Sequence, residues 1–113
     1  MEIQFLDNWK SQTKKGLITL MILRIIKSQS CYGGEIIKEI KTRYGFKVAE
    51  GTIYPILKKL KTKKLVMTTW RTQNNDIGAP KKIYMLTGEG KLMLNSMEDF
   101  WKEVNNSLYA IAS

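Results

Sequence analysis

The hydrophobic pattern of this chain changes period twice, and the order of the changes restricts its fold more than any other feature. Residues 14–28, 33–44 and 52–63 place apolar side chains at helical spacings. Residues 65–72 and 82–87 are rich in β-branched and aromatic residues and flank a turn-forming segment of Asn, Asp, Gly and Pro, which predicts a β-hairpin. Helical spacing then returns up to residue 111. We therefore expect a mainly α fold with one small hairpin, in a chain of one domain's length.

The first two helical segments differ in how much of their surface is apolar. Residues 14–28 carry so many apolar side chains that this helix must be buried on most sides. Residues 33–44 instead predict a short amphipathic helix, which Gly45 is suited to end. The residues between the two helices, 28–32, are predicted to be a short polar link.

The later helices carry signals at their first turns. The third helix tolerates Pro55 if it begins near Thr52, because proline in the first turn removes few backbone hydrogen bonds. Thr87 is suited to cap the last helix, and Glu89 places an acidic group in its first turn. These signals predict where the last two helices begin.

The residue types that are scarce exclude several classes of protein. The chain has no histidine, which removes the usual acid/base group near neutral pH and the commonest metal ligand. Its one cysteine, Cys31, cannot form an internal disulfide, and its acidic residues are dispersed. The N-terminus lacks the pattern of a signal peptide, and no apolar stretch is long enough to span a bilayer. We expect a cytoplasmic protein that is not an enzyme and has no cofactor, metal site or membrane partner.

Positive charge is concentrated in the middle of the chain. The formal net charge is +9, and residues 36–82 alone hold 12 basic and 3 acidic side chains. An excess gathered in one segment is typical of a surface that binds a polyanion. The alternative is a solvated lysine-rich surface with no binding role.

Three helices followed by a hairpin is the order of a winged helix-turn-helix domain, whose third helix enters the major groove of DNA while the hairpin, or wing, contacts the backbone. The lysine-rich helix 52–63 is then the recognition helix, and double-stranded operator DNA is the expected partner. Tyr54 has an alternative role as a core aromatic, and the lysines from Lys61 onward have one as solvated groups. The predicted contacts to bases or phosphates are Thr52, Tyr54, Lys58, Lys59 and Lys61 of the helix, with Arg71, Lys81 and Lys82 of the wing.

Two motifs in this order resemble those of the PadR-type transcriptional regulators. Residues 51–60, GTIYPILKKL, are similar to the pattern Gly-Thr-Leu-Tyr-Pro-x-Leu-x-x-Leu. Residues 80–90, PKKIYMLTGEG, are similar to Pro-Arg/Lys-Lys-Tyr-Tyr-x-Leu-Thr-x-x-Gly. With the first helix included, the resemblance covers about residues 13–110. The sequence departs from the pattern at Gly34 and Ile83, where tyrosine is usual, and at Ala49, where a serine or asparagine cap is frequent.

The resemblance implies a homodimer, with residues 1–87 as the DNA-binding domain and 88–113 as the dimerisation helix. A heptad spacing in the last helix agrees independently, because one chain has nothing left to cover the end of this helix. The alternative is that the heptad packs on the first helix of the same subunit. A two-fold dimer would place its recognition helices about 34–36 Å apart. The predicted interface residues are Met97, Trp101, Val104, Leu108 and Ile111.

The short C-terminus resembles the small PadR subfamily that includes multidrug-sensing repressors, in which an aromatic residue of the last helix and its two-fold mate sandwich flat, often cationic, aromatic compounds. Trp101 falls at the matching place, with a plain dimer-core aromatic as the alternative. Met97, Phe100 and either Glu98 or Asp99 would complete a partly acidic pocket. Trp9 and Phe5, predicted to precede the first helix, would close it. The resemblance implies a repressor that such a ligand releases from DNA; a winged-helix module for protein contacts is the alternative function.

Overall fold

A computed structural model of the protein describes residues 2–72 and 78–110. The three strands of the fold form one antiparallel sheet in the order β1-β3-β2. The expected mainly helical fold with a winged hairpin is confirmed. In chain order the elements are α1 (Glu2–Ser28), β1 (Cys31–Tyr32), α2 (Gly33–Tyr44), α3 (Glu50–Thr62), β2 (Val66–Arg71), β3 (Lys81–Leu86) and α4 (Gly88–Ala110).

The core lies where the second half of α1 meets α2, α3 and the sheet. From Ile18 onward α1 buries apolar side chains on most of its circumference, as its composition predicts. Of α4, only Gly90 and Leu94 are buried, so the core holds the first half of this helix and leaves the second half outside. The largest fully buried side chains are those of Ile22, Leu23, Ile25, Ile36, Ile40, Ile53, Leu57, Val66 and Leu94.

The wing is a regular hairpin of β2 and β3. The two strands pair from Val66 opposite Leu86 to Arg71 opposite Lys81. Because side chains alternate between the two faces of a strand, one face directs Val66 and Tyr84 into the core. The basic residues lie at the other end of the hairpin, beyond this buried part.

The predicted end of α2 at Gly45 and the predicted cap of α4 at Thr87 are confirmed, and α3 ends through a residue of positive φ. Gly45 follows α2 with a φ of 64°, the left-handed conformation that glycine adopts readily. Lys64 takes a φ of 62° after α3, and the N–H of Leu65 then donates to the carbonyl of Leu60 at 2.9 Å, which closes that helix. Thr87 caps α4, since the N–H of Gly90 donates to its hydroxyl at 2.9 Å.

The first helix is much longer than predicted. It begins at Glu2, so Phe5 and Trp9 lie inside it and do not precede it. Residues 2–10 are all exposed, and no pattern of burial marks them as part of a core helix. Despite the 27 residues of α1, neither it nor any other helix in the described ranges is apolar enough to cross a membrane.

Two further boundaries differ from the prediction. The third helix begins at Glu50, which places Pro55 beyond its first turn and leaves one carbonyl, that of Gly51, without its usual helical donor. The predicted link at 28–32 contains a strand, because Cys31 and Tyr32 pair with β3. A strand of two residues is specified by its partner and shows no periodicity of its own.

Candidate nucleic-acid interface and interhelical cavity

The buried stripe of α3 fixes which side of this helix faces outward. Ile53, Leu57 and Leu60 are at most 5% exposed, so the helix cannot rotate without exposing them. The predicted contacts Thr52, Lys58, Lys59 and Lys61 are all exposed, and so are Lys63 and Lys64 after the helix. Burial of the apolar stripe therefore presents a band of ammonium groups to solvent.

Tyr54 combines the two roles that the sequence leaves open. Its side chain is 42% exposed, yet its ring lies against Gly33 at the start of α2. A Cβ atom on Gly33 would lie 2.6 Å from Cε1 of Tyr54, so any other residue at position 33 would push the ring away. The tyrosine is thus held by α2 while part of its ring faces the surface.

A groove of about 530 Å³ separates α3 from the wing. The ammonium of Lys82 lies 6.0 Å from the centroid of the Tyr84 ring. Burial, and then the proximity of Tyr54, raise the pKa of Tyr84, so its hydroxyl remains protonated at neutral pH. Ammonium groups beside tyrosine rings suit the groove to an anionic group. The groove is lined by Tyr54, Leu57, Lys58, Lys61, Thr62, Lys82 and Tyr84.

The wing brings the remaining predicted contacts close to the start of α2. Arg71 and Lys81 face each other across the hairpin. The ammonium of Lys81 lies 4.3 Å from the centroid of the Tyr32 ring. A second, smaller cavity of about 310 Å³ has Tyr54, Lys81 and Lys82 in its lining. Helix α3, the wing and the start of α2 therefore share one basic surface.

A separate apolar cavity of about 510 Å³ lies between α1 and α4. Three of the four predicted ligand residues, Met97, Phe100 and Trp101, are in its lining. The fourth, Trp9, is 56% exposed and lies one turn before the α1 part of the lining, where its carbonyl accepts a hydrogen bond from Thr13. The other lining residues are Gln12, Thr13, Gly16, Leu17, Leu20 and Ser96.

The lining of this cavity is not acidic within one chain. Glu98 forms an ion pair with Arg24 of α1, and Asp99 is exposed, so neither carboxylate lines the cavity. The polar groups that do line it are the neutral side chains of Gln12, Thr13 and Ser96. An apolar wall with few polar groups is typical of sites for hydrophobic small molecules.

The predicted dimer seam is more exposed at its end than at its beginning. Met97 packs against the core, Trp101 is 37% exposed, Val104 is half-buried and Leu108 is 68% exposed. Ile111 lies outside the described residues. The chain's own core therefore covers the beginning of the seam and leaves its end bare.

Cys31 lies in the core and not on either candidate site. Its side chain is 4% exposed, and burial, followed by the charges of Glu35 and Glu39, raises its pKa to about 11. The group is therefore a thiol at neutral pH, a form that is a poor nucleophile and metal ligand. Within the described ranges, no cluster of His, Cys, Asp and Glu could hold a metal ion.

Sequence reasoning missed part of both sites. Tyr32 was not singled out, because the pairing that brings it to the wing is a long-range one. Trp70 is 67% exposed and lies opposite Lys82 on the wing, although its place in a predicted strand does not distinguish it from a core aromatic. On the α1 side of the cavity, Gln12 and Thr13 precede the predicted start of the helix, and Leu17 and Leu20 were assigned only to the core.

Several known proteins with a similar sequence and fold are described as transcription regulators. Residues 22–96 match the family described as transcriptional regulator PadR-like. A PadR-like transcription factor from Bacteroides fragilis is 36% identical, with a TM-score of 0.74 over 93% of this chain and 99% of that chain. A PadR family transcription regulator from Clostridium difficile R20291 is 32% identical, with a TM-score of 0.72 over 81% of this chain and 94% of that chain. An uncharacterised protein of Lysinibacillus sphaericus is 30% identical over 97 residues, 84% of this chain and 87% of that protein.

Proposed function

Because the chain belongs to the PadR-like family of transcriptional regulators, we propose that it is a DNA-binding repressor, that it acts as a homodimer, and that a planar aromatic ligand releases it from its operator. Regulators of this family bind DNA and typically dimerise. Repression, the dimer interface and the ligand are proposed here for this chain, and a different part of the molecule supports each of them.

The observation that carries the DNA-binding step is the basic surface formed by α3 and the wing. Within residues 2–72 and 78–110 the ion pairs are Arg24–Glu98 and Arg43–Glu39, so the lysines of this surface have no carboxylate partner there. Unpaired ammonium groups in one band can neutralise a row of phosphates and release their counterions. A module for protein contacts would not need this density of uncompensated charge.

In the proposed complex, α3 enters the major groove with its first turn, so that Thr52 and Tyr54 reach base edges or phosphates. Lys58, Lys59 and Lys61 neutralise the backbone along the groove. Arg71, Lys81 and Lys82 extend the contact along the backbone beside the wing. Phosphate contacts of this kind provide affinity, whereas sequence is read by the few side chains that reach base edges.

The test begins with selection of bound duplexes from random DNA, followed by titration of the selected duplex at several salt concentrations. A protein that contacts 6–10 phosphates loses about 10³–10⁵ in affinity between 50 and 200 mM salt. The double variant Lys58→Ala/Lys61→Ala should bind more weakly and with a shallower dependence on salt. The matched control Lys91→Ala/Lys102→Ala removes the same charge from exposed positions of α4 and should bind as the wild type does.

Two results would contradict the DNA-binding step. If no duplex is enriched, the basic surface serves another partner, and a winged-helix module for protein contacts becomes the better interpretation. If both double variants weaken binding equally, the effect is one of net charge and not of this surface.

The apolar side chains that one chain leaves uncovered support the dimer step. Leu108 and Tyr109 near the end of α4 are 68% and 82% exposed, and Ile3 and Phe5 of α1 are 77% and 76% exposed. Large exposed apolar side chains of this number are unusual on a monomer, whereas a two-fold interface can bury them on both subunits at once. The proposed interface therefore combines the seam of α4 with the first turns of α1.

The ligand step rests on the cavity between α1 and α4, which opens beside this proposed interface. Indole rings bind planar cations by stacking and by cation–π attraction, worth about 0.5–2 kcal/mol. In the dimer, Trp101 and its two-fold mate would face the ligand, with Met97, Phe100 and Trp9 around it. A ligand releases DNA only if it binds more tightly to the dimer geometry that does not fit the operator.

Tryptophan fluorescence tests the cavity without DNA. Acridine orange, a planar aromatic cation, should quench the fluorescence of the wild type and of Trp70→Phe, which lacks the distant wing tryptophan, but much less that of Trp101→Ala. Equal quenching in all three proteins would refute this site. Release is then measured by anisotropy of a labelled duplex, with Trp101→Ala as the control for direct effects of the dye on DNA.

A further inference from the structure

We propose that Tyr32 is a positioning residue, whose ring holds the ammonium of Lys81 at the base of the wing in place for a DNA phosphate, and that Gly34 provides the space in which this ring lies. The inference deepens the proposed DNA-binding function and rests on it. It concerns two residues, Tyr32 and Gly34, that would not themselves need to contact DNA.

The pairing of β1 with β3 brings the two side chains together. Tyr32 lies opposite Ile83 in the antiparallel register, and Lys81 precedes Ile83 by two residues on the same strand. Side chains two residues apart on a strand share a face, so Lys81 extends diagonally across the partner tyrosine. The resulting distance from ammonium to ring centroid is 4.3 Å, well inside the range of a cation–π contact.

A glycine provides the space on the other side of the Tyr32 ring. A Cβ atom on Gly34 would lie 2.9 Å from Cε2 and 3.4 Å from Cδ2 of Tyr32. The first distance is too short for any real Cβ, so a side chain at this position would move the ring. The ring is therefore enclosed between the backbone of α2 and the wing lysine.

An aromatic ring orders a lysine without neutralising it. A carboxylate at this place would cancel the charge that a phosphate needs, and within the described ranges neither ion pair includes Lys81. A free lysine side chain loses much rotamer freedom when it binds a phosphate. A lysine already held over a ring has lost part of this freedom before DNA arrives, which favours binding.

The experiment uses the full-length chain in five forms: wild type, Tyr32→Phe, Tyr32→Leu, Lys81→Ala and the double variant Tyr32→Leu/Lys81→Ala. The first measurement needs no DNA and records the NMR shift of the Lys81 side-chain protons next to the amine. A ring beneath them should shift these protons upfield in the wild type and in Tyr32→Phe, and the shift should disappear in Tyr32→Leu.

The second measurement is the affinity for the duplex selected as described above. Tyr32→Phe keeps the ring and should bind as the wild type does, whereas Tyr32→Leu should bind about two- to fivefold more weakly per subunit, the range for a cation–π contact at an exposed site. Lys81→Ala should also lower the salt slope by about 0.9 per subunit, because one phosphate contact is lost. In the Lys81→Ala background, Tyr32→Leu should have no further effect.

Gly34→Ala provides a variant that does not weaken the fold. Alanine is favoured over glycine inside a helix, so this protein should be at least as resistant to denaturation as the wild type. Its Cβ atom nevertheless displaces the Tyr32 ring, so the upfield shift should be lost and DNA binding should fall to the level of Tyr32→Leu. A loss of binding together with retained stability separates positioning from a structural role.

The outcomes distinguish this inference from the function on which it rests. Wild-type protein that shows the upfield shift but binds no duplex contradicts the proposed function. Wild-type protein that binds DNA without the shift, or a Tyr32→Leu effect that persists in the Lys81→Ala background, overturns the positioning role while leaving the DNA-binding function intact. Full binding by Gly34→Ala overturns the part assigned to Gly34.

Discussion

Replacing Gly90 with alanine should destabilise the protein strongly, although alanine is the better helix former. Gly90 lies in the first turn of α4, next to the backbone of Leu65, which follows the end of α3. A Cβ atom there would overlap the carbonyl oxygen of Leu65 and would lie 3.0 Å from its carbon and 3.3 Å from Cδ2 of Leu86. The obstacle is backbone and not the flexible tip of a side chain, so it cannot simply turn away.

The Leu65 carbonyl is also held where it is. It accepts the N–H of Thr87 at 3.2 Å and lies 3.1 Å from the Thr87 hydroxyl, which in turn accepts the N–H of Gly90 at 2.9 Å. Moving α4 away would strain or break the two contacts of Thr87 to the Leu65 carbonyl, each worth about 0.5–1.5 kcal/mol. Overpacking adds about 1–3 kcal/mol, and the helix propensity of alanine returns about 1 kcal/mol. We expect a net loss of about 1–5 kcal/mol in the free energy of unfolding.

Urea denaturation followed by circular dichroism, at one fixed protein concentration, measures this loss. Gly88→Ala is the matched control, because it lies two residues away in the same turn and its added Cβ would meet nothing within 4 Å. The control should be neutral or slightly stabilised. If the two variants have the same midpoint, the close approach of α4 to Leu65 is wrong and the argument fails.

Three other predictions concern positions outside this contact. Lys64→Gly should raise the free energy of unfolding by about 1 kcal/mol, because Lys64 has a φ of 62°. Lys63→Gly, at a φ of −80°, should lower this free energy. A lower denaturation midpoint for Lys64→Gly than for Lys63→Gly would contradict this. Burial, followed by the charges of Glu35 and Glu39, raises the pKa of Cys31 from 9.0 to about 11, so folding favours the neutral thiol. This preference contributes fully to the free energy of unfolding below pH 9, and the contribution is lost as the pH rises towards 11. The thiol should react with a disulfide reagent at pH 8 only after denaturation, and Cys31→Ala should lose less stability above pH 9 than the wild type; a fast reaction of the native protein would refute the burial argument. Leu108→Glu should shift the protein from dimer to monomer in analytical ultracentrifugation, since it puts a charge into the proposed seam; an unchanged dimer would mean that the seam lies elsewhere.

Much of the fold follows from local signals, and α2 is the clearest case. Its bounds, Gly33–Tyr44, are those that the sequence predicts, because an amphipathic pattern ends at a glycine that adopts a positive φ. The face of α3 that carries the lysines was predictable for a related reason: the apolar stripe decides which side is buried, and the rest must face solvent. The residues of the proposed DNA surface on α3 are therefore known once the helix is known.

What could not be predicted depends on partners that are distant in sequence. β1 consists of two residues and exists only because β3 lies beside it, so the contact of Tyr32 with the wing has no local signal. The first turns of α1 bury nothing within one chain, so their helical structure leaves no pattern of burial. The α1 wall of the cavity includes Leu17 and Leu20 of the predicted helix 14–28, but the sequence assigns them only to the core, whereas the resemblance to the small PadR subfamily indicated residues of the α4 wall.

Three helical glycines show why sequence alone assigns such positions poorly. A glycine inside a helix costs about 1 kcal/mol relative to alanine, so Gly33, Gly34 and Gly90 look like weaknesses in α2 and α4. In the structure each leaves room for a specific group: the Tyr54 ring, the Tyr32 ring and the Leu65 carbonyl, respectively. Two of these groups face the basic surface and the third joins α4 to the end of α3. Because these glycines have no side chain, α2, α3, the wing and α4 can lie close enough to act as one unit. Hydrophobic periodicity cannot detect a residue whose contribution is the space that it leaves for a neighbouring group.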